Sequence, residues 1–356
     1  MNELFKDLKI IELAGVLAGP SVGLFFSELG ANVVKIENSK TNGDVTRTWK
    51  LKTEDAKNLY SAYYWSINTG KTVLMLDLTL ENDLNKLYEL TKDADIIITN
   101  YKKGDDTKLK VDYTTLTRIK SDLIYANING FGDESERIAF DLILQAESGF
   151  MYMNGEPNSK PTKMPVALID LLAGHQLKEA ILVALIKKLK TGKGSKISVS
   201  LFDSALASLA NQGTNWLIAN HLPKQTGSLH PNIAPYGEIF ETKDGHLITF
   251  AIGNNKQFLN LCEIIEFKGL AKETKFSNNQ NRVTNRHELY NILYNYIKPF
   301  LFKNIYKLCI DNEVPIGKIR TLKEVFELDE AKKLLINTPI KNQTITTVKG
   351  NVFKIE

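Results

Sequence analysis

The chain lacks most of the features that announce a chemistry. Cysteine is nearly absent: Cys262 and Cys309 stand far apart among 356 residues, with no histidine at ligand spacing, so neither a disulfide framework nor a zinc site is expected. No apolar run approaches the roughly 18 residues of a membrane span. The opening MNELFKDLKIIEL sets Glu3 and Asp7 among its apolar positions and offers no h-region of a secretory signal. Charge of one sign is scarce in excess, because 45 Lys and Arg against 41 Asp and Glu leave a formal +4. The excess is spread as scattered lysines, which argues against nucleic acid and suits an anionic small molecule or a solvated surface equally. HExxH, GxxxxGK[ST] and GxGxxG are all missing, so zincin and P-loop readings find no support; GPSVG at 19–23 has the GxSxG spacing, and no serine-hydrolase reading is drawn from it. What remains is an ordinary globular protein of a reducing cytoplasm, 43% hydrophobic and long enough for a sizeable core in more than one domain.

The hydrophobic pattern supplies the organisation. LKIIEL is a short β-branched run, followed by the turn-forming GVLAGP, an amphipathic stretch from Ser21 to Gly30, and a second strand ANVVKIE. A strand, helix, strand unit of this kind implies a parallel pair. TVLMLDL, DIIITNY and LIYANINGFG continue as strands, separated by the helical patterns ENDLNKLYELTKD and YTTLTRIKS. The alternation predicts a doubly wound α/β domain. A loop, NGEPNSKPTKMP, leads through strand-like MPVALI to one long helix from Asp170. A strand KISVSLF and a helix from Asp203 to Asn220 follow, then LPKQTGSLHPNIAPYG, whose three prolines read as an interdomain linker. The hairpin GEIFETKDGHLITFAIG, turning at Lys243-Asp244-Gly245, opens a smaller α+β unit. The expected division is 1–222 for the large domain, 223–315 for the small one, and 316–356 returning to the large domain.

Two places invite chemistry. The turn from Gly15 to Pro20 lies where open α/β sheets bind ligands, although a tight turn with no ligand explains it as well. Asp170 opens a helix after an apolar segment, and a carboxylate there has two available jobs. It can be an N-cap, accepting a backbone N–H of the first turn. It can also be an exposed nucleophile kept ionised by the helix N-terminus. Glu37, Asp141 and Glu147 read as surface or capping carboxylates, and His175, His221, His230 and His246 have no nucleophile at motif spacing.

Ordered blocks along nearly the whole sequence resemble the class III CoA-transferases. GVLAGPSVGLFFSELGANVVKIE with GDVTR is similar to that family's opening, NTGKTVLMLDL and DIIITNYKKG to its CoA groove, and NINGFG with AFDLILQAESGFMYMNGEP to its central block. MPVALIDLLAG is similar to the segment holding its nucleophilic aspartate. TGKGSKISVSLFDSALASLANQGTNWL, HPNIAPYGEIFETKDGHLITFAIGNNKQFLNLC, NRVTNRHEL and VPIGKIRTLKEVF continue in the same order.

The resemblance implies an α/β fold with a Rossmann-like large domain and a smaller α+β domain, in a homodimer of interlocked rings. It implies that CoA moves from an acyl-CoA donor to a small carboxylic acid, with no metal and no tightly bound cofactor. Asp170 would be the nucleophile, passing through a mixed anhydride and an aspartyl-CoA thioester. Backbone N–H groups around Leu17 and Ala18 would steady the oxyanion, and Asn38, Lys71, Asn100, Tyr101, Lys102, Arg137, Ala139 and Phe140 would line the CoA site. Departures from the pattern are specific. The formyl-CoA transferase branch has glutamine where this chain has Leu17 and basic residues at Asn38 and Ile138, leaving Arg137 and Lys40 for the phosphates. AIGNN replaces that branch's glycine-rich loop, as in the branch with dicarboxylyl-CoA transferases, and the sequence ends at Glu356 before a PLLGxHT-like motif. An acyl-CoA racemase of the same superfamily is one alternative, disfavoured because Phe140 stands where its histidine precedes the central aspartate. A catalytically silent acyl-CoA binder is another, and a nicotinamide oxidoreductase rests only on the α/β beginning.

Overall fold

The computed structural model describes residues 4–340 and 343–356; Glu3, used above against a secretory signal, lies outside them. The chain divides into two units, the larger built from residues up to 151, 163–223 and 333 onward, the smaller from 152–162 and 224–332. The linker boundary falls beside the expected residue 222, but the return to the large unit comes at Lys333 rather than 316. The cause is a strand at Ile316–Lys318 that completes the small unit's sheet. Tyr152–Thr162, expected in the large domain, also belongs to the small unit. Gln225 Nε2 donates to the Asn154 carbonyl at 3.1 Å and the Gly227 amide to the Gly155 carbonyl at 2.9 Å, tying it there.

In the large unit, β1 (Lys9–Glu12), β2 (Asn32–Asn38), β3 (Thr72–Leu76), β4 (Ile96–Thr99), β5 (Ile124–Asn129) and β6 (Ser195–Ser200) form one sheet. The order is β3-β2-β1-β4-β5-β6, and every pair is parallel. Parallel strands covered on both faces must be apolar throughout, and β4, Ile-Ile-Ile-Thr, is buried at all four positions. The strand order reverses between β1 and β4, and that is where open α/β sheets leave a crevice beyond their carboxyl ends.

Two helices carry the chain into that crevice. The first, Ala18–Glu28, begins three residues before the expected Ser21, because Pro20 lacks only an N–H that the first turn does not need. Gly30, at φ +97, takes the left-handed position just past its end. Leu168–Thr191 is the long helix, closed by Gly192 at φ +68. The two helices approach closely at Gly174: a Cβ there would lie 2.4 Å from Ser21 Oγ and 3.2 Å from the Ala18 carbonyl oxygen.

MPVALI is not a strand. β6 already occupies the sheet edge beside β5, and the segment is held instead by side chains, with Gln145 Oε1 accepting the Met164 amide at 2.8 Å. The single helix expected from Asp203 to Asn220 is two, Leu201–Ala207 and Ala210–Ala219. Ser204 and Ser208 bond back to the carbonyls four residues earlier, and Ala210 opens the second piece at φ +48.

The smaller unit has an antiparallel sheet of β7 (Tyr236–Glu241), β8 (Leu247–Ala251) and β9 (Ile316–Lys318). Its hairpin turns as expected through Gly245 at φ +77. Phe240, Phe250, Phe258 and Leu293 fill its core together with the free thiols of Cys262 and Cys309, both pushed up to about 12 by burial. After it, β10 (Leu335–Ile340) and β11 (Gln343–Val348) form a hairpin. The Gly350 and Asn351 amides beyond it each donate to the Glu28 carboxylate at 2.8 Å, closing the large unit. Among the described residues no helix is long and apolar enough to cross a membrane.

Candidate active site

The turn after β1 is built against its own backbone preference. Val16 sits at φ +69, a left-handed conformation that costs a β-branched residue on the order of 1–3 kcal/mol. Side chains from other elements hold the turn on both sides. Asn100, just past β4, accepts the Gly15 amide at 3.0 Å and donates to the Gly15 carbonyl at 2.8 Å. Asp44 Oδ2 accepts the Val16 amide at 3.1 Å. The chain then enters the first helix with Leu17 as N-cap and no side chain capping it, so the N–H groups of the first turn have no intrahelical acceptor.

Beneath the turn lies a buried ionic cluster. Lys35 Nζ is 2.9 Å from Glu12 Oε1 and 3.2 Å from Asp44 Oδ2, and donates to the Ala14 carbonyl at 2.6 Å. Lys71 Nζ meets Glu12 Oε2 at 2.8 Å, the Pro20 carbonyl at 2.8 Å and Asn68 Oδ1 at 3.0 Å. Burial pushes the Lys71 ammonium down to about 8. Glu37 lies alongside, paired with Arg47 at 2.6 Å and accepting from the Tyr64 hydroxyl at 2.7 Å.

A cavity of about 340 Å³ opens over this turn at the carboxyl ends of β1, β4 and β5. Asp170 forms part of its wall, only 7% exposed. The N-cap of its helix is Ala167, so Asp170 stands in the first turn and is not the cap. The free amides there go to Asp141, whose Oδ1 accepts Ile169 N at 2.8 Å and Asp170 N at 3.4 Å while Gln145 donates to its Oδ2 at 2.6 Å. Asp141 is thus a capping carboxylate for a helix 27 positions further along the chain. The expectation that the helix N-terminus keeps Asp170 ionised is reversed: burial, and after it the Asp141 charge, push Asp170 up to about 7. Tyr63 feels the same carboxylates, and burial with their charge raises its phenol to about 12.

Leu17, Ala18, Asn100, Tyr101, Lys102, Arg137, Ala139 and Phe140 all line the cavity with Asp170. Asn38 and Lys71 do not. Asn38 is exposed at the end of β2 and caps the following 3₁₀ turn, and the Lys71 ammonium, fully buried, is spent on Glu12. Glu37, read as a surface or capping carboxylate, is buried in its ion pair with Arg47. The Arg137 guanidinium lies 3.8 Å over the Phe131 ring and bonds to Glu147. Lys40 reaches Asp77 at 3.0 Å with its head still exposed. Val16, Asp44, Tyr63 and Gly130 were not singled out by the sequence reading. Gly130 alone carried a signal, as a glycine ending a strand: a Cβ there would meet Ala139 Cβ at 2.3 Å, so its absence lets the 137–140 segment close over the cavity.

Comparison with known proteins gives this geometry a family. Residues 5–355 match the family model described as CoA-transferase family III, and the chain belongs to that family. It is 35% identical over 351 residues to a succinate–glutarate CoA-transferase of Agrobacterium fabrum, covering 97% of this chain and 87% of that one. Human succinyl-CoA:glutarate CoA-transferase is 34% identical over 92% of this chain and 74% of its own length. A crystal structure of a CaiB/BaiF family protein from Brucella suis superposes with a TM-score of 0.82 at 35% identity, covering 98% and 91% of the two chains. The protein is a class III CoA-transferase.

Proposed function

We propose that the reaction runs through Asp170 and that the acceptor is a small dicarboxylic acid. The observation that carries this is a nearly buried carboxylate in the wall of a cavity also lined by the uncapped first turn at Leu17 and Ala18. The Asp170 carboxylate attacks the donor thioester carbonyl, the negative charge on oxygen is met by those amides, and CoA leaves as a thiolate with a mixed anhydride behind it. The thiolate attacks the aspartyl carbonyl, releases the donor acid and leaves an aspartyl-CoA thioester. The acceptor carboxylate attacks in its turn, forms a second anhydride, and the thiolate freed in that step takes the new acyl group and restores Asp170. The thiol stays in the site throughout, and atoms and charge balance.

A cavity of about 340 Å³ holds the thioester end of an acyl-CoA, with Lys102 and Arg137 as the cations on its lining nearest an anionic tail. The succinyl and glutaryl substrates in the relatives' names support short dicarboxylates here. A homodimer of interlocked rings is part of the reading. It is supported by the apolar surface of the Ala210–Ala219 helix, where Leu217 and Ile218 are 78% and 80% exposed. Two free buried thiols suit the reducing cytoplasm. Phe140 at the racemase's histidine position leaves that isomerisation without its base.

The test is intact-protein mass spectrometry after mixing with succinyl-CoA and a panel of carboxylic acids, wild type beside Asp170→Ala. A hydroxylamine-sensitive adduct on the wild type alone supports the mechanism. Neither adduct nor exchanged CoA ester across the panel makes the silent binder the better account. Asp141 gives an independent check on the electrostatics. Asp141→Asn removes the second cause of the Asp170 shift while leaving burial, the larger one, in place. The acid limb of kcat/KM against pH, expected near 7 in the wild type, is expected to move to lower pH without reaching the ordinary carboxylate range. An unmoved limb would show that the Asp141 charge is not felt at Asp170.

A further inference from the structure

Among the described residues, the non-glycine positions at positive φ include one β-branched side chain, Val16. Such a residue keeps a left-handed backbone only where its surroundings over-determine it. The surroundings here converge on Asp44. Its Oδ2 takes the Val16 amide at 3.1 Å and faces Lys35 Nζ at 3.2 Å. Its Oδ1 takes the Thr46 amide and hydroxyl at 3.0 and 2.8 Å, and its own amide is bound to Glu37 at 2.7 Å. Lys35 closes the loop on the Ala14 carbonyl at 2.6 Å. Burial works against the Asp44 charge, but Lys35 and the Thr46 bonds more than offset it and hold the carboxyl below its ordinary range. The side chain is 2% exposed and is not part of the cavity lining, so it meets no substrate.

We propose that Asp44 is a positioning residue for CoA exchange: by gripping the Val16 N–H against Lys35, it holds the turn left-handed so that the Leu17 and Ala18 amides face the carbonyl under attack. The proposal rests on the reading of Asp170 as nucleophile. Its chemistry is that of a preorganised oxyanion site. Donors fixed before the charge develops need no reorganisation when it does, whereas a turn free to relax must be pulled back at every step.

The experiment compares wild type, Asp44→Ala, Asp44→Asn, Val16→Gly and the Val16→Gly/Asp44→Ala pair. Succinyl-CoA is the donor and glutarate the acceptor, with CoA-ester exchange followed by chromatography and Asp170 acylation by mass spectrometry. Asp44→Ala is expected to lower kcat roughly 10- to 100-fold, with KM for succinyl-CoA within about two-fold. Asp44→Asn, which keeps an acceptor for the Val16 amide, is expected to recover most of that loss. In the Val16→Gly background, where a left-handed backbone carries no Cβ penalty, removing Asp44 is expected to cost several-fold less. An equal cost in both backgrounds, a loss confined to KM, or wild-type turnover in Asp44→Ala overturns the proposal. Should Asp44→Ala fail to fold, Asp44→Asn measured with and without Val16→Gly, and a crystal structure showing whether Val16 keeps its positive φ, decide the matter. No adduct on wild-type Asp170 overturns the nucleophile reading and the proposal with it; a wild-type adduct formed equally fast by Asp44→Ala overturns the proposal alone.

Discussion

Asp170→Asn is expected to abolish CoA exchange and, at the same time, to make the chain more stable above pH 7. The first effect follows from the proposed role of Asp170 as covalent carrier, a loss of at least about 10⁴-fold. The second follows from linkage. Burial and the Asp141 charge raise Asp170 from 3.8 to about 7, so between those values the folded chain keeps a proton that the unfolded chain has released. Stability therefore falls as pH climbs through this window and stays lowered above it, by about 4 kcal/mol at most at roughly 1.4 kcal/mol per pH unit. Asparagine carries no charge and avoids that penalty. Thermal melts at pH 5 and pH 8 check this: the variant's advantage, on the order of 5 °C at pH 8, should shrink at pH 5. An advantage that is the same at both pH values would mean that Asp170 is not the destabilising charge, and exchange by the variant would remove it as nucleophile.

Lys35→Met carries the largest expected loss of stability. The methionine fits the volume, but Asp44 then loses its ion pair in a buried site, while Glu12 keeps its contact with Lys71. Breaking a buried ion pair from one side costs about 3–5 kcal/mol, read as a fall in the denaturation midpoint. Adding Asp44→Asn to the same chain should return part of that loss, because it removes the carboxylate left without a cation while Glu12 keeps Lys71. If the double variant is as unstable as the two single losses added, the cluster is not acting as a unit. Lys71 provides a spectroscopic companion: with the neighbouring Lys35 ammonium gone, its own ammonium should hold its proton to higher pH than in the wild type.

The sheet was legible because its strands are buried on both faces, and β-branched runs such as Ile96–Ile98 have no other reading at that length. The cavity lining was legible where a residue follows a strand end, as Asn100 does, since the crevice lies at those ends by topology. What escaped were relations between distant residues. Nothing in the string says that Lys71 meets Glu12 fifty-nine positions away, and the family groove alone suggested a ligand role that its burial denies. The same holds for Asp170. Its position at a helix start is plain, but the cap comes from Asp141, and the sign of its electrostatics depends on that partner and on burial. Pro20 and the back-bonded serines of 204–208 show a more local limit, in which one residue's backbone preference shifts or splits a helix that periodicity alone makes continuous.

The missing side chain at Gly174 has a consequence for how this enzyme can change its diet. The Ser21 hydroxyl and the Ala18 carbonyl fill the space a Cβ would need there, so the spacing between the helix bearing Asp170 and the helix bearing the amides is a dimension that substitution can only enlarge. On the proposed reading, a change in acceptor length has to be met elsewhere in the lining. The 137–140 segment of the lining carries Ile138 and Phe140, which are 71% and 52% exposed and stand outside the buried core. If Asp170 is the nucleophile, reactivity and appetite sit on different segments of one cavity's lining, and the second can be rewritten while the first stays as it is.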